Sequence, residues 1–294
     1  MNFNLSPTFT KQKNLVSDLL NHFMATDDEG RRGFGTDKNL ELAKRKSLFE
    51  YLERVVMSSG LLGEFTTSNG FATHTDEKKA RNNAVAELLE RDMFLCSWLM
   101  KQKMSRLQIE LDEDSEHLSA ELKREGLEMR PGIVGVCSGI ICFGGWVIDL
   151  EKMSGIFVSC ASASLKDGLR KLYEDGIQAA SVLKYARQNK EQKLEKLVDI
   201  HTNYYLAREN FESVRWHWNE FEDGILEFPE IVPEVQSIKC TMNDDFGFFC
   251  ARAVSHQLQS FYVGVTTREK LNLNRFENLG FDPAGINTQL HPLA

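Results

Sequence analysis

Proline and cysteine are scarce, at six each in 294 residues. So few prolines leave no proline-rich linker, and no repeat or low-complexity segment breaks the chain, which reads as one continuous domain with 42% hydrophobic residues to build a large core. Cys96, Cys137, Cys142, Cys160, Cys240 and Cys250 form no CxxC pair and have no histidine at zinc-ligand spacing beside them. They read most simply as buried thiols that behave as small hydrophobes. No apolar run approaches the roughly 20 uninterrupted residues of a membrane helix. The opening MNFNLSPTFTKQKN lacks the basic and then apolar regions of a signal peptide, so the expectation is a soluble, cytoplasmic protein. Basic residues are also in deficit: 35 Lys plus Arg against 43 Asp plus Glu give a net charge of -8. That balance argues against a sequence-independent grip on nucleic acid, leaving a polyanion only a local site.

What is present is an alternation of helical and strand patterns. After an amphipathic stretch at 15–24 and a glycine-relaxed loop at 31–35, Thr36 and Asp37 are placed to cap a helix over 38–57, where Leu40, Ala43, Phe49, Leu52 and Val56 form one apolar face. A short strand is expected over 65–72, ending in the polar Ser68-Asn69-Gly70. A second helix starts at Thr75-Asp76, with Ala80, Val85, Leu88, Leu89, Phe94 and Trp98 at helical spacing. Further expectations are a helix over 113–125, two strands within 132–150 turning at Gly144-Gly145, a helix over 164–186, a weaker one over 190–221, and strands near 236–241 and 246–254 before a C-terminal coil. The fold class that follows is α+β, with mixed sheets and helices.

Three helices carry paired polar groups at one-turn spacing: Glu50 with Glu53, Glu87 with Glu90, and Glu174 with Gln178. Side chains at i,i+3 or i,i+4 leave the helix on one face. The first two pairs are followed by Arg54 and Arg91. Glu and Arg are good helix formers, so any one such pair also reads as a solvated helix face. Ser47 and Asn83 stand one turn before the first acid of their helices, and the apolar neighbours of the acids suggest partial burial. Unpaired buried carboxylates cost several kcal/mol, so these acids call for a cation or for donors.

The block SNGFATHTDEKKARNNAVAELLERDMFLCSW at 68–98 resembles the signature of the YcaO-domain family. So do Gly33-Phe34-Gly35 leading to Ser47, Glu50, Glu53 and Arg54, the 161–178 region ending in Glu174 and Gln178, and a C-terminal portion with QSFYVG, Asn274-Arg275-Phe276 and His291-Pro292-Leu293-Ala294. The resemblance implies a single YcaO-like domain over 1–294 arranged around an ATP and Mg2+ site. It makes Glu50, Glu53, Glu87, Glu90 and Glu174 magnesium or ribose ligands. Ser47, Asn83 and Gln178 become hydrogen-bond donors to the nucleotide, and Arg54 and Arg91 partners of phosphate or of the carboxylates. Arg91 and the carboxylate of Ala294 are the implied catalytic groups, with Lys44 and Arg32 as further phosphate contacts. In such enzymes a backbone amide oxygen of a peptide attacks the γ-phosphate of ATP and a neighbouring Cys, Ser or Thr side chain adds to the amide carbon. Loss of phosphate then leaves an azoline.

The implied activity is cyclodehydration of a ribosomal precursor peptide to thiazoline or oxazoline rings. The implied partners are an E1-like leader-binding protein and a flavin-dependent dehydrogenase, with neither nucleic acid nor membrane involved. Thioamide or macroamidine formation, and a non-catalytic nucleotide-binding subunit, remain as alternatives. Only 37 positions separate Glu50 from Glu87, fewer than is usual in the family, and no leader-binding domain is expected in the chain. His74, after the Ser-Asn-Gly turn, is a further candidate as a proton carrier. Trp216-His217-Trp218 and Tyr204-Tyr205 read either as stacking platforms or as core.

Overall fold

The computed structural model describes residues 1–63, 67–188, 201 and 203–293, with only the backbone at 187–188. The chain forms two compact units: Met1–Asn14, Asp18–Leu88 and Val232–Ser255 make the first, and Leu15–Ser17, Leu89–Ile231 and His256–Ala294 the second.

In the first unit, β1 (Asn2–Phe3), β5 (Phe71–His74), β11 (Glu234–Met242) and β12 (Phe246–Val254) form a sheet in the order β1-β11-β12-β5. A second sheet joins β2 (Thr8–Gln12), β3 (Asn21–Thr26) and β4 (Arg32–Asp37), all antiparallel. Helix α1 (Leu40–Ser58) buries Tyr51, Leu52, Val55 and Val56 against Ala25, Phe71, Cys240, Phe248 and Cys250. Each such fully buried side chain is worth about 1.5–3 kcal/mol. The helix begins where Asn39 Oδ1 accepts the backbone N–H groups of Glu41 and Leu42, two to three residues later than Thr36-Asp37 suggested. Asp37 instead holds the N–H of Asn39.

Helix α2 (Glu77–Leu99) crosses from the first unit into the second at Leu88 and Leu89. The second unit continues with β6 (Met104–Arg106), α3 (Glu113–Arg124), β7 (Glu128–Cys137), β8 (Ile140–Asp149), β9 (Ser154–Ser162) and α4 (Leu165–Gln188). After the undescribed 189–200 come α5 (Arg208–Ser213), α6 (Arg215–Trp218), β10 (Phe221–Glu222) and α7 (Leu273–Asn278). Its sheet runs β10-β6-β7-β8-β9, with α4 packed on β8 and β9. Trp98, Trp146, Phe157, Tyr205, Phe211 and His217 form a buried aromatic core, so the 204–205 and 216–218 aromatics, apart from the 38% exposed Tyr204, serve packing. Asp92 and Arg275, 0% and 1% exposed, pair at 2.6 Å, and Asp92 also accepts the Gln259 N–H, tying the C-terminal segment to α2.

The mixed α+β class holds, and four local expectations change. In the amphipathic stretch, β3 occupies 21–26. The expected loop at 31–35 is strand β4, and its glycines are there for packing. A Cβ at Gly33 would lie 2.1 Å from Tyr51 N, and one at Gly35 2.1 Å from Ala43 O, so only glycine lets β4 press flat on α1. Ser68-Asn69-Gly70 precedes its strand, β5, instead of ending it; residues 64–66 lie outside the described residues. The β7–β8 turn sits at Ser138 and Gly139, both with positive φ, the conformation of a tight hairpin turn. Gly144 and Gly145 lie inside β8, where a Cβ would meet Phe157 at 2.7 Å and Met129 at 2.5 Å. The 190–221 helix lies partly outside the described residues; its described part holds α5, α6 and β10. Among the described residues no helix is long and apolar enough to cross a membrane.

Candidate functional site

The first unit contains a cavity of about 680 Å3 between α1, β5 and the start of α2. Acidic Glu50, Glu53 and Asp76 and basic Arg45, Lys46 and Lys79 line it together with His74 and Asn83. Each acid is aimed by the backbone of a strand. Glu53 Oε1 accepts the Thr73 N–H of β5 at 2.8 Å. Glu50 Oε2 accepts the Phe34 N–H of β4 at 2.8 Å, while Arg54 reaches its other oxygen at 3.4 Å.

Burial and then the charges of Glu87 and Glu50 push the Glu53 carboxyl well above the ordinary carboxylate range, although the Thr73 N–H and Arg54 oppose the shift. The charges of Glu87 and Glu50 both bear on Glu53, and Glu50 has Arg54 at 3.4 Å. Hard oxygen donors of this kind suit Mg2+, and in this respect the residues fit a magnesium nucleotide. In the geometry without metal, no three His, Cys, Asp or Glu side chains among the described residues are gathered into a ready metal-binding group.

Ser47 is fully buried where β4 crosses α1, and its hydroxyl donates to Lys44 O at 2.7 Å. Lys44 lies over the Phe9 ring, 4.9 Å from its centroid, and Arg32 is exposed on β4; neither lines the cavity. The basic residues that do line it, Arg45, Lys46 and Lys79, were missed. A signal for the first two existed, because Leu42, Lys46, Phe49 and Glu53 fall at i, i+4, i+7 and i+11 on one face of α1, with Arg45 beside them. Lys46 is already engaged by Asp37, at 2.9 Å, and by the Thr36 carbonyl.

The remaining predicted residues belong to the second unit. Glu90, 5% exposed, accepts the Ser159 hydroxyl at 2.6 Å and pairs with Arg91 at 3.3 Å. Arg91 also lies over the Phe261 ring, 5.3 Å from its centroid. Glu174 and Gln178 are half-buried on α4. Burial holds the Cys160 thiol well above its usual value, and Asp175, Glu90 and Glu174 add to that against Lys171, which places Glu90 and Glu174 in one electrostatic neighbourhood. Ser159 was also missed; it carries no motif, and only the β9 pairing brings it to Glu90. Ala294 lies outside the described residues.

A family profile described as an ATP- and Mg2+-binding YcaO cyclodehydratase matches residues 62–276. The match includes Asn83, Glu87, Glu90, Arg91, Glu174 and Gln178, and begins after Ser47, Glu50, Glu53 and Arg54. No curated protein matches the chain. Among solved structures, the YcaO protein of Methanopyrus kandleri bound with AMPPCP and Mg2+ superposes with a TM-score of 0.61 at 13% identity, over 84% of each chain. A chain of the Escherichia coli microcin synthetase McbBCD complex with pro-MccB17 bound gives a TM-score of 0.64 at 12% identity, over 84% of this chain and 87% of that one. A heterocyclase in complex with substrate and cofactor gives 0.68 at 12% identity, over 97% of this chain and 54% of that longer one. Likeness at these identities is a likeness of fold.

Proposed function

The chain belongs to the YcaO family, and from that premise we propose that residues 1–294 act as one YcaO-like domain, a cytoplasmic Mg2+- and ATP-dependent cyclodehydratase. Its substrate is a backbone amide of a ribosomal precursor peptide, and its products are thiazoline or oxazoline rings with ADP and phosphate. An E1-like protein presents the peptide, and a flavin-dependent dehydrogenase takes the rings onward. The observation that carries this reading is Glu53. Its carboxyl, displaced by burial and by the charges of Glu87 and Glu50, lies with Glu50 in a cavity that Arg45, Lys46 and Lys79 also line.

Bound ATP supplies the phosphoryl group that turns an amide oxygen into a leaving group. Glu50, Glu53 and Glu87 hold Mg2+, and Asn83 donates to the nucleotide. The Phe34 and Thr73 amides anchor one oxygen each of Glu50 and Glu53, and metal binding would draw the three acids together from that anchored position. Glu90, Glu174, Gln178 and Arg91 are assigned to nucleotide and metal binding, Arg91 also to catalysis, by their match to the family motif. Ala294 is assigned in the same way.

ATP turnover measured with and without a candidate precursor peptide tests the reading. Peptide-stimulated release of ADP and phosphate is expected, with loss of one water per modified Cys, Ser or Thr in the mass spectrum. Replacement of oxygen by sulfur marks a thioamide-forming enzyme. Binding of Mg-ATP without any turnover marks a nucleotide-binding structural subunit, the alternative consistent with acids already occupied by backbone amides.

A further inference from the structure

We propose that His74 is a fixed hydrogen-bond donor that presents its Nε2–H to a phosphate oxygen of the bound nucleotide, with Arg45 and Lys79 beside it as charge partners. The proposal rests on the reading of the cavity as a nucleotide site.

The tautomer follows from one contact. His74 Nδ1 lies 2.9 Å from the backbone N–H of Asp76. A backbone amide only donates, so Nδ1 supplies its lone pair and the proton of the neutral ring sits on Nε2. The ring is fixed on two further sides. It packs on Phe49 with centroids 5.4 Å apart, and Asp76 in turn accepts the Lys79 N–H at 2.8 Å, anchoring the 74–76 corner to the first turn of α2. Burial and the charges of Lys79 and Arg45 lower the imidazole pKa while Asp76 opposes them, so the ring stays neutral at pH 7.

A neutral ring with Nδ1 occupied is poorly suited to carry protons, because protonation at Nδ1 would break the bond to Asp76. It is suited to donation. Unlike an imidazolium, it adds no charge that would repel Mg2+ from the nearby Glu50 and Glu53. The ligand class follows from its neighbours. Arg45 and Lys79 face the same cavity, and their side chains make no ion pair with any described residue, whereas Lys46 is held by Asp37. Two cations without an ion pair among the described residues and one neutral N–H lining the same cavity fit a polyphosphate better than a neutral substrate.

Two measurements on the full chain test this. Long-range 1H–15N NMR of the metal-free protein, with His74 assigned from the spectrum of His74→Gln, is expected to show the Nε2–H tautomer; an Nδ1–H tautomer overturns the proposal. Calorimetry with a non-hydrolysable ATP analogue and Mg2+ is expected to show about tenfold weaker binding by His74→Ala and recovery of most of that loss by His74→Gln, whose amide N–H reaches a similar position. Wild-type binding with unchanged affinity in His74→Ala defeats the role of His74 and leaves the nucleotide site standing. A wild-type chain that binds no Mg-nucleotide defeats both. Should His74→Ala fail to fold, the wild-type tautomer and the His74→Gln titration still decide.

Discussion

The backbone N–H of Phe34 donates to Glu50 at 2.8 Å. Phe34 lies between the two glycines that let β4 lie against α1, and Lys46, one turn before Glu50, reaches the Thr36 carbonyl of the same strand at 2.9 Å. Two side chains of α1 thus cover the open edge of β4. The Gly33-x-Gly35…Ser47-x-x-Glu50 pattern is therefore a packing device with a functional outcome. Two absent side chains and a small buried serine bring the strand close, and closeness lets an amide aim the acid. A carboxylate offers about four acceptor positions; Phe34 and Arg54 use two, which leaves room for a metal ion.

Gly33→Ala and Gly35→Ala are expected to destabilise the first unit by about 2–4 kcal/mol, because the new methyl meets helix backbone atoms that have no rotamer to retreat into. Phe34→Ala, whose ring is 43% exposed, serves as the mild control. Chemical denaturation of the metal-free protein measures both. Equal stability of Gly33→Ala and wild type would show that β4 is not pressed onto α1 as described.

Glu53→Gln is expected to stabilise the empty protein and abolish Mg-ATP binding. A carboxyl whose folded pKa is raised above its unfolded value contributes stability only while protonated, and that contribution is lost as pH rises past the ordinary carboxylate range. Above the ordinary carboxylate range, ionising this carboxyl in the folded state is disfavoured, a penalty that Gln avoids while still accepting the Thr73 N–H. Melting at pH 7.5 and calorimetry, with EDTA abolishing wild-type binding, check the two halves. Normal Mg-ATP affinity in Glu53→Gln would remove Glu53 from the ligand set.

Much of this was legible in the sequence. The long helices were found because their apolar residues recur at 3.6-residue spacing, and β11 and β12 because branched and aromatic residues cluster there. Gly144-Gly145 misled because glycine marks two different needs: in β8 it makes room for Phe157 and Met129, whereas the turn needed positive φ at Ser138 and Gly139. The acids at the cavity were legible by residue type and spacing. The cations that line the cavity with them were not, since Arg45 and Lys79 look like any solvated helix charge until β5 is placed beside them.

Acid sensitivity of the second unit should come from two buried histidines. His217 and His291, 0% and 1% exposed, are held down to about 3, His217 by burial and His291 by burial with help from His201 and Arg91. Unfolded, each takes up a proton near pH 6.5, so the folded state binds fewer protons between about pH 3 and 6.5 and loses stability as pH falls through that window. The slope is about 1.4 kcal/mol per pH unit per histidine. All four tryptophans lie in this unit, so urea unfolding followed by tryptophan fluorescence reports on it. His217→Phe also removes the acceptor of the Trp146 N–H and lowers stability at every pH. The diagnostic quantity is the slope between pH 6.5 and 5, which should become shallower, with His291 and His201, also lowered by burial, keeping the rest; an unchanged slope would refute a buried, neutral His217.

Ser159 offers a test of Glu90 that leaves Glu90 itself in place. Its hydroxyl donates to Glu90 Oε1 at 2.6 Å, and the same oxygen is 3.3 Å from the Arg91 guanidinium, so removing the hydroxyl leaves the carboxylate fixed by Arg91 alone and free to turn toward it. If Glu90 binds metal or nucleotide, Ser159→Ala should cost about 1 kcal/mol of stability and also weaken Mg-ATP binding about five- to tenfold, as loss of a partner that orients a ligand does. Ser159→Thr retains the hydroxyl and is expected to recover most of the affinity. If Glu90 serves only the packing of the second unit, the stability loss appears and the Mg-ATP affinity of Ser159→Ala equals that of the wild type. Calorimetry on the two variants, beside their denaturation curves, separates a ligand from a structural ion pair.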